Sequence, residues 1–403
     1  MPLASSILSV APQFNDYSND QAKIKAILTN PAALKVFALQ CDIGSQAEIY
    51  IYDKDGIELE DDPLDEFFDN PNPFQTKSQW LWDFYFWTGI GTAYLYMDSN
   101  DPANTENKLY FLNPAKIEWP QSINIAKDKL IFSKQSEKVL MDTNILYRYE
   151  DGTSITIPLS KIITLTDLSN GTGNWFKGSS RIDALYKVIS NSEKALDATN
   201  VNLEYSQRFL VGGTADPKDV TKQPLGNEEK QSIEDIMRGH KRIHAVKSMI
   251  DIKRFVEDMR SLELGKAYTE AYFIIGSMFG IPKDVLEAYL TNGATFENQE
   301  KAVGRHIAYT LQPKADDLFD AIARRMGLKE TDRTIEASWD HLPFMQVFEK
   351  DRAATKQTNI NTFNMLVKLK VPLDEINQYL DTNFSTVNYE QGQKANAGAG
   401  GGN

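Results

Sequence analysis

Two histidines spaced four residues apart are the pair in this chain that most resembles a reactive site. On a helix, His240 and His244 would share one face, which is the spacing with which histidine pairs bind zinc. The glutamate of the HExxH motif is absent, however, and Lys241 and Arg242 between the histidines would repel a metal ion. We therefore interpret both histidines as ordinary polar residues and expect no metal site.

Two glycine-rich stretches invite comparison with nucleotide-binding loops. In "GTGNWFKGSS", residues 171–180, the last glycine is followed by Ser179, whereas a phosphate-binding loop requires a lysine there. In "GIGTAY", residues 89–94, Tyr94 occupies the position of the third glycine of the dinucleotide fingerprint. The first stretch is better explained as a turn before a helix that Ser179 or Ser180 caps. Neither stretch predicts a nucleotide, and no other cofactor is expected.

The remaining reactive side chains lack the neighbours that catalysis needs. Cys41 is the only cysteine, so no internal disulfide is possible, and its apolar flank "LKVFALQ" favours a buried thiol over a nucleophile. His306 and His341 have no acid or nucleophile motif nearby, and the acid pairs at 61–62 and 316–317 are adjacent in sequence and solvated. No GxSxG or CxxC motif occurs. We interpret the chain as non-enzymatic.

The composition limits the class of protein further. The chain has 403 residues and a formal net charge of −13, with 41% hydrophobic and 25% charged residues. That length is enough for two or three domains. No apolar run approaches the ~20 residues that span a bilayer, and "MPLASSILSV" is a poor signal peptide, so we expect a protein made in a reducing cytoplasm. The negative net charge argues against tight, sequence-specific DNA binding. It does not argue against a protein that lets DNA slide past without holding it.

The elements that would position these residues alternate between helices and a β-rich region. We predict helices at 18–40 with a second start near Pro31, in "DPLDEFF", in the aromatic segment around 80–87, and at 181–209, 227–239, 261–279, 299–326 and 345–370. A hairpin is predicted in "AEIYIYDKDGIELE". Strands are predicted in "TAYLYMD", in "KRIHAVKSMIDIKRF", in "TIEASWD", and at 108–112, 115–119, 129–133, 144–149, 154–157 and 161–166. The predicted fold class is therefore α+β.

The aromatic segment has no catalytic group beside it. Trp80, Asp83, Phe84 and Trp87 recur at helical spacing, so they share one face with a single polar member. Pro313 should kink the helix at 299–326, because proline removes a backbone hydrogen bond. Two explanations of the rings stay open. They pack against neighbouring subunits, or they fill the core of a single chain.

Six short phrases, taken in order, resemble the portal (head–tail connector) proteins of tailed double-stranded DNA bacteriophages. They are "DDPLDEFFDNPNP" with the aromatic helix "WLWDFYFWTG" and "GTAYLYMD"; "FLNPAKIEW"; "LSKIITLTDL"; "GSSRIDALYKVI"; "FGIPKDVL"; and "TFENQEKAVGRHIAYTLQP". The resemblance covers about residues 25 to 380. Thr164 departs from a frequent histidine, and the last family phrase is reduced to "KVPLDEINQYL", which leaves the extent of any crown domain open.

The resemblance implies a phage portal fold and a dodecameric ring at one capsid vertex, through which double-stranded DNA passes without sequence-specific recognition. The implied partners are the large terminase subunit, the head–tail adaptor and the major capsid protein, and the implied place of assembly is the host bacterial cytoplasm. The implied divisions are a β-rich wing at 1–260 with an N-terminal helical segment, stem helices at 261–279 and 297–326, a clip at 280–296, a tunnel loop and long wing helix at 327–370, a minimal crown at 371–384 and a disordered tail at 385–403.

Two sets of site residues follow from this comparison. The segment "WDHLPFMQV" falls where the family carries a loop that projects into the channel, so we expect a DNA-facing loop that includes Trp339, His341, Phe344 and Met345; a buried strand-to-helix corner is the equal alternative. The predicted clip lies between two helices and is too short for its own core, so its apolar side chains should contact neighbouring subunits or docking proteins. Those side chains are Leu286, Tyr289, Leu290 and Phe296.

Two other classes remain open at this point. The chain is alternatively another phage virion structural protein, such as a head–tail adaptor or capsid component, or an enzyme of an unfamiliar type. The length and the order of helix, insertion and helix disfavour the first. The acidic balance is typical of a bore that repels DNA and lets it slide, or it only keeps a large particle soluble.

Overall fold

The computed structural model describes residues 19–59, 62–99, 108–123, 128, 131, 140–168, 175–205, 209–213, 227–228, 231, 250–254, 264–288, 296–343, 345–369 and 371–380. The chain divides into two compact units. The first combines Met1–Val36 with Ile182–Ile275, and the second combines Phe37–Arg181 with Gly276–Asn403.

Helices and short antiparallel strands make up both units, which confirms the α+β prediction. The helices are α1 (Asp20–Thr29), α2 (Pro31–Gly44), α3 (Pro63–Asp69), α4 (Lys77–Ile90), α5 (Arg181–Tyr205), α6 (Leu264–Met278), α7 (Lys283–Ala288), α8 (Phe296–His306), α9 (Gln312–Met326), α10 (Met345–Lys368) and α11 (Leu373–Leu380). The strands are β1 (Glu48–Asp53), β2 (Thr92–Met97), β3 (Leu109–Leu112), β4 (Ile117–Glu118), β5 (Asn144–Arg148), β6 (Ser154–Pro158), β7 (Ile162–Thr166), β8 (Phe209–Gly213), β9 (Ile250–Arg254) and β10 (Arg333–Ser338).

The first unit is built on helices α1 and α5 and contains an antiparallel pair of strands. Asn30 separates α1 from α2: its side-chain oxygen accepts hydrogen bonds from the backbone N–H groups of Ala32 and Ala33, while its amide donates to Ile189 and Ser192 of α5. A buried asparagine with all these groups bonded costs little. Strand β8 pairs antiparallel with β9 in the stretch between α5 and α6. The helix predicted to reach residue 209 therefore ends earlier, at the bounds given for α5.

Two three-stranded sheets organise the second unit. Their strand orders are β3–β2–β7 and β4–β5–β6, and every strand pair among the described residues is antiparallel. Both sheets contribute to one apolar cluster, in which Tyr94, Ile145 and Ile162 are at most 2% exposed. The strands predicted between 92 and 166 are present, apart from the one at 129–133. Most of that segment lies outside the described residues, and Ile131 is helical.

Strand β1 pairs mainly with a strand that is distant in sequence, and not with the segment that directly follows it in the predicted hairpin. Its full length, from Glu48 to Asp53, lies antiparallel to β10. The predicted hairpin forms only as a tight turn, in which the Asp53 carboxylate accepts N–H bonds from Asp55 and Ile57, followed by one bridge between Tyr52 and Glu58. The long-range partner prevails because β10 presents Ile335 and Ala337 to the core.

The rings of α4 mostly fill the interior of the second unit. Thr76 and Gln79 form a capping box at the start of the helix. Trp80 is fully buried, with its ring 5.2 Å from that of Phe111, and Phe84 is 1% exposed. The single-chain core explanation is therefore confirmed for these two rings. Phe74, just before the helix, is 84% exposed and has no such role.

The helix predicted at 299–326 is interrupted before the predicted proline kink. Residues Ile307–Leu311 form a π-helical turn that joins α8 to α9, and Pro313 is the second residue of α9. The Tyr85 hydroxyl donates to the carbonyl of Leu311, which supplies a partner at this irregular turn. Helix α9 ends at Gly327, whose φ of 69° is the left-handed conformation that favours glycine.

Candidate functional site

The segment predicted to face DNA is a corner between β10 and α10. Trp339 is 1% exposed, and its indole N–H donates to the carbonyl of Ile43 at 3.0 Å. Two backbone bonds, from Leu342 to Trp339 and from Met345 to Leu342, close the turn. The buried Trp339 therefore anchors the corner. For this side chain, the structure agrees with the alternative of a buried strand-to-helix corner. Met345 is half-buried, and Phe344 lies outside the described residues.

Among the described residues of this set, His341 is the most exposed. Its side chain is 34% exposed, and its Nδ1 atom lies 3.7 Å from Oε2 of Glu48, at the start of β1. The hydroxyl of Tyr50 donates to the same carboxylate at 2.5 Å. That hydrogen bond, followed by desolvation, raises the pKa of Tyr50 to about 12. The structure therefore places His341 beside an acidic group and not beside a nucleophile.

Acidic side chains continue from this point across the outer face of β1, β10 and α9. The pKa of Tyr52 is raised by desolvation and then by the charges of Glu336, Glu58 and Asp340. The pKa of Asp316 is raised by desolvation and then by nearby carboxylates, of which Glu336 contributes most. We call the exposed acids Glu48, Glu58, Asp316, Glu336 and Asp340 the acidic face. Like charges this close repel a polyanion such as DNA.

Of the four side chains predicted for the clip, the structure describes that of Leu286. Leu286, on α7, is 1% exposed, and a Cβ added at Gly276 of α6 would lie 2.5 Å from its Cδ1 atom. This chain alone therefore buries Leu286. Tyr289 and Leu290 lie outside the described residues, and although Phe296 begins α8, its side chain is not described. The assignment of 280–296 to a clip stays a prediction.

The turn between α6 and α7 is packed closely against the π-helical turn. Gly280 has a φ of 74°, and a Cβ there would lie 2.7 Å from the Thr310 hydroxyl. The His306 imidazole Nδ1 is 3.0 Å from the carbonyl of Gly280. His306 is 1% exposed, and desolvation lowers its pKa to about 4, so the imidazole is neutral at pH 7. Nδ1 then donates to that carbonyl.

A group of buried charges was not found from the sequence. The carboxylate side chain of Asp167 is fully buried between Arg181 and Lys314, with N–O distances of 2.6 and 2.8 Å. Desolvation lowers the pKa of Lys314, although Asp167 opposes that shift. One sequence signal could have revealed this buried charge cluster. Lys314 lies four residues before Leu318, so it falls on the apolar stripe of α9.

The described residues hold no obvious chemical centre. No three His, Cys, Asp or Glu side chains among them are grouped to hold a metal ion, and His240 and His244 lie outside this part of the chain. Cys41 is fully buried, and desolvation raises its pKa well above the usual value, which keeps the thiol protonated. No helix in the described parts is long and apolar enough to cross a bilayer.

The sequence profile of a family described as "Phage portal protein" matches residues 42–364. The chain belongs to the phage portal family. Because portal proteins are structural components, the expectation of a non-enzymatic protein holds for this chain. The six phrases quoted above thus identified the family correctly. No curated protein sequence matches the chain.

Solved portal-like structures share the fold at low sequence identity. A chain from the neck of an empty gene transfer agent particle has a TM-score of 0.61 at 13% identity, and the match covers 91% of this chain and 94% of that one. A chain from the neck of the native particle, computed with C12 symmetry, has 0.59 at 12%, covering 93% and 96%. An HK97 family portal protein from Corynebacterium diphtheriae has 0.50 at 10%, covering 79% and 97%. At identities this low, these structural matches show a shared fold and nothing beyond it.

Proposed function

We propose that this chain is the subunit of a closed twelve-membered ring at one vertex of a phage capsid, through which double-stranded DNA is packaged and later ejected. The observation that carries the proposal is the portal-family match across residues 42–364. The twelvefold symmetry applied to the related native neck supports the subunit number. A closed ring requires two different, complementary surfaces on each subunit.

The partners in this proposal follow from the stages of particle assembly. The ring sits in the shell formed by the major capsid protein, binds the large terminase subunit during packaging, and binds the head–tail adaptor afterwards. Assembly takes place in the host bacterial cytoplasm. The portal chain supplies no reaction; its role is to hold a passage open and to present docking segments.

The acidic face is our candidate for the surface that DNA passes. Tight phosphate contacts through lysine and arginine would resist sliding, whereas carboxylates keep the duplex away from the wall. His341 adjoins this face, and Phe344 and Met345 follow it in the chain, so replacement of His341 and Phe344 by alanine should impair packaging while rings still form. If the double variant fails to fold, the corner is structural.

The docking segment has two candidates. The first is the predicted clip at 280–296. The second is the insertion between α5 and α6, residues 206–263, which we call the hairpin insertion because strands β8 and β9 pair within it. Two helices flank each insertion. The burial of Val285 and Leu286, each 1% exposed, favours the hairpin insertion, since the described part of the predicted clip is already packed within its own chain.

Negative-stain microscopy of the purified chain tests the ring directly. We expect rings with a central opening, and elution near the position of a particle of about 550 kDa, since one chain is 45.5 kDa. Monomers or small oligomers at micromolar concentration would favour the alternative, in which the chain serves as another virion structural component. An adaptor that only assembles on an existing neck would behave in that way.

A further inference from the structure

Phe74 is the most exposed large apolar side chain in the described parts of the chain, at 84%. It belongs to the second unit and lies in the turn before α4, between Asn72 and Gln75, which form an isolated β-bridge. A lone exposed apolar residue is ordinary on a protein surface. Two further features make this one the candidate for a contact between copies of the chain.

The first feature is the rigid turn that carries Phe74. Asn72 is 5% exposed, and its amide donates to the carbonyl of Leu109 and to Oε1 of Gln75, both at 2.9 Å. Its Oδ1 atom accepts from the N–H of Phe74 at 3.0 Å. The N–H of Leu109, at the start of β3, donates in turn to the carbonyl of Pro71. Because the backbone of this turn is already ordered, a partner that covers the Phe74 ring pays little ordering entropy.

The second feature is a groove of about 440 Å³ on the same unit, lined from both three-stranded sheets. We call it the tyrosine groove, and its aromatic and aliphatic lining includes Tyr96, Tyr110, Leu112, Tyr147, Tyr149 and Ile155. Tyr149 is 47% exposed and Ile155 is 45% exposed. The groove therefore offers apolar surface that a partner can cover.

The charges at the tyrosine groove compensate one another. Lys161, which lines the groove, donates to Oδ1 of Asp98 at 2.7 Å, and the hydroxyl of Tyr96 donates to the same oxygen at 3.0 Å. The bond from Lys161 lowers the pKa of Asp98, so the pair is ionised and neutral in sum at pH 7. Each copy of the chain carries a net charge of −13, so two copies repel each other. We expect them to meet through neutral surfaces such as this one.

Phe74 and the tyrosine groove are separate surfaces of one chain. The Phe74 ring does not line the groove, because it borders a different cavity together with Trp82. An apolar side chain and a complementary pocket elsewhere on the same molecule produce a head-to-tail contact. Each copy then offers its side chain to one neighbour and its groove to the other. Aromatic side chains suit such a contact, since they bury a large area and pack favourably against other rings.

We propose that the Phe74 ring of one copy inserts into the tyrosine groove of the next copy. The repetition of this contact around a closed ring rests on the proposed portal function, whereas the contact between two copies does not. A second copy is the occupant because this chain itself supplies both complementary halves, the rigidly held ring and the neutral groove.

Cysteine cross-linking of the full-length protein tests the contact, since Cys41 is the only native cysteine and is fully buried. Phe74→Cys combined with Ile155→Cys should give a ladder of covalent multimers on a denaturing gel after treatment with a short bis-maleimide reagent. Phe74→Cys combined with Ile57→Cys is the matched control, because Ile57 is 63% exposed and lies outside the groove. This control and Phe74→Cys alone should remain monomeric on the gel.

Truncation of the aromatic ring gives a second, independent measurement. Phe74→Ala should raise the concentration at which copies associate by at least about tenfold, since a buried aromatic anchor typically dominates a contact. Ile57→Ala should leave that concentration unchanged. Analytical ultracentrifugation measures both variants, and each should fold normally because the replaced side chain is exposed.

Each outcome supports or overturns the contact. Rings without a ladder in Phe74→Cys/Ile155→Cys would overturn it and leave the portal function standing. A ladder without closed rings would support the contact and count against the portal function. Covalent dimers from Phe74→Cys alone would show a symmetric contact and overturn the proposal, as would unchanged association of Phe74→Ala. Absence of both rings and ladder would overturn the contact and the ring together.

Discussion

Two insertions follow one another along the chain and share a flanking helix, but they have different structures. The hairpin insertion lies between α5 and α6 and contains an antiparallel strand pair. The second insertion lies between α6 and α8, and its described part forms helix α7, whose Val285 and Leu286 are buried. The first insertion is a candidate for projection to a partner, while α7 in the second packs its apolar side chains within its own chain.

Glycine and proline at the end of a helix do not distinguish these two cases. "GIP" at 280–282 predicts that α6 ends, and it does, but the same glycine also brings its backbone against Thr310. Gly276, inside α6, leaves room for Leu286. A glycine inside a helical pattern is consistent with close approach of another element as well as with a helix end. Interpreting Gly276 as a point of close approach predicts that α7 packs against α6.

The largest effect that separates the two insertions is expected from Leu286→Ala. Deleting a fully buried leucine side chain removes apolar contact and leaves a cavity, so the free energy of unfolding should fall by about 2–5 kcal/mol. Leu28→Ala, at a leucine that is 52% exposed, is the matched control and should cost far less. Urea unfolding of the three proteins provides the measurement. Equal small losses in both variants would mean that α7 projects and that the comparison is wrong.

Acid should loosen the second insertion through His306. Its pKa of about 4 lies below the value of about 6.5 in an unfolded chain, so the unfolded state binds more protons between those values. The stabilisation is complete above pH 6.5 and declines as the pH falls towards 4, by up to about 3 kcal/mol. His306→Asn retains a donor for the Gly280 carbonyl and should abolish this part of the pH dependence. Unfolding titrations at several pH values test this, with His341→Asn as a half-exposed control. An identical slope in the His306 variant would exclude the mechanism.

Docking variants compare the insertions directly. If the hairpin insertion binds the large terminase subunit, reversing two charges on β9 with Lys253→Glu and Arg254→Glu should weaken binding at least about tenfold. Tyr289→Ala with Phe296→Ala should then leave affinity nearly unchanged. Rings of each variant can be compared by surface plasmon resonance. The reverse pattern would support the original assignment of the clip to 280–296.

The smallest effect is expected at the C-terminus. "GQKANAGAGGGN" has too few apolar residues to bury, so removal of residues 385–403 should leave the ring and both insertions unaffected. Gel filtration of the truncated chain measures this. Loss of rings would give the segment a role in assembly that its composition does not predict.

Local signals predicted most of the elements but not their pairing. The capping boxes that begin α3 and α4 and the end of α4 at Gly91 are determined within a few residues, and the structure contains them. The β1–β10 pair joins residues nearly three hundred positions apart, so no local pattern could reveal it. The ion pairs of Asp167 with Arg181 and Lys314 were missed for the same reason, because they form only when distant segments come together in the folded chain.

The central claim is that many copies of this chain form one closed ring, and native mass spectrometry of the purified full-length protein tests it most directly. The account predicts a dominant assembly of twelve subunits near 550 kDa, about twelve times the 45.5 kDa of one chain. It also predicts that the assembly persists in Tyr289→Ala/Phe296→Ala and in Lys253→Glu/Arg254→Glu. A dominant monomer or dimer across the concentration range would contradict the account.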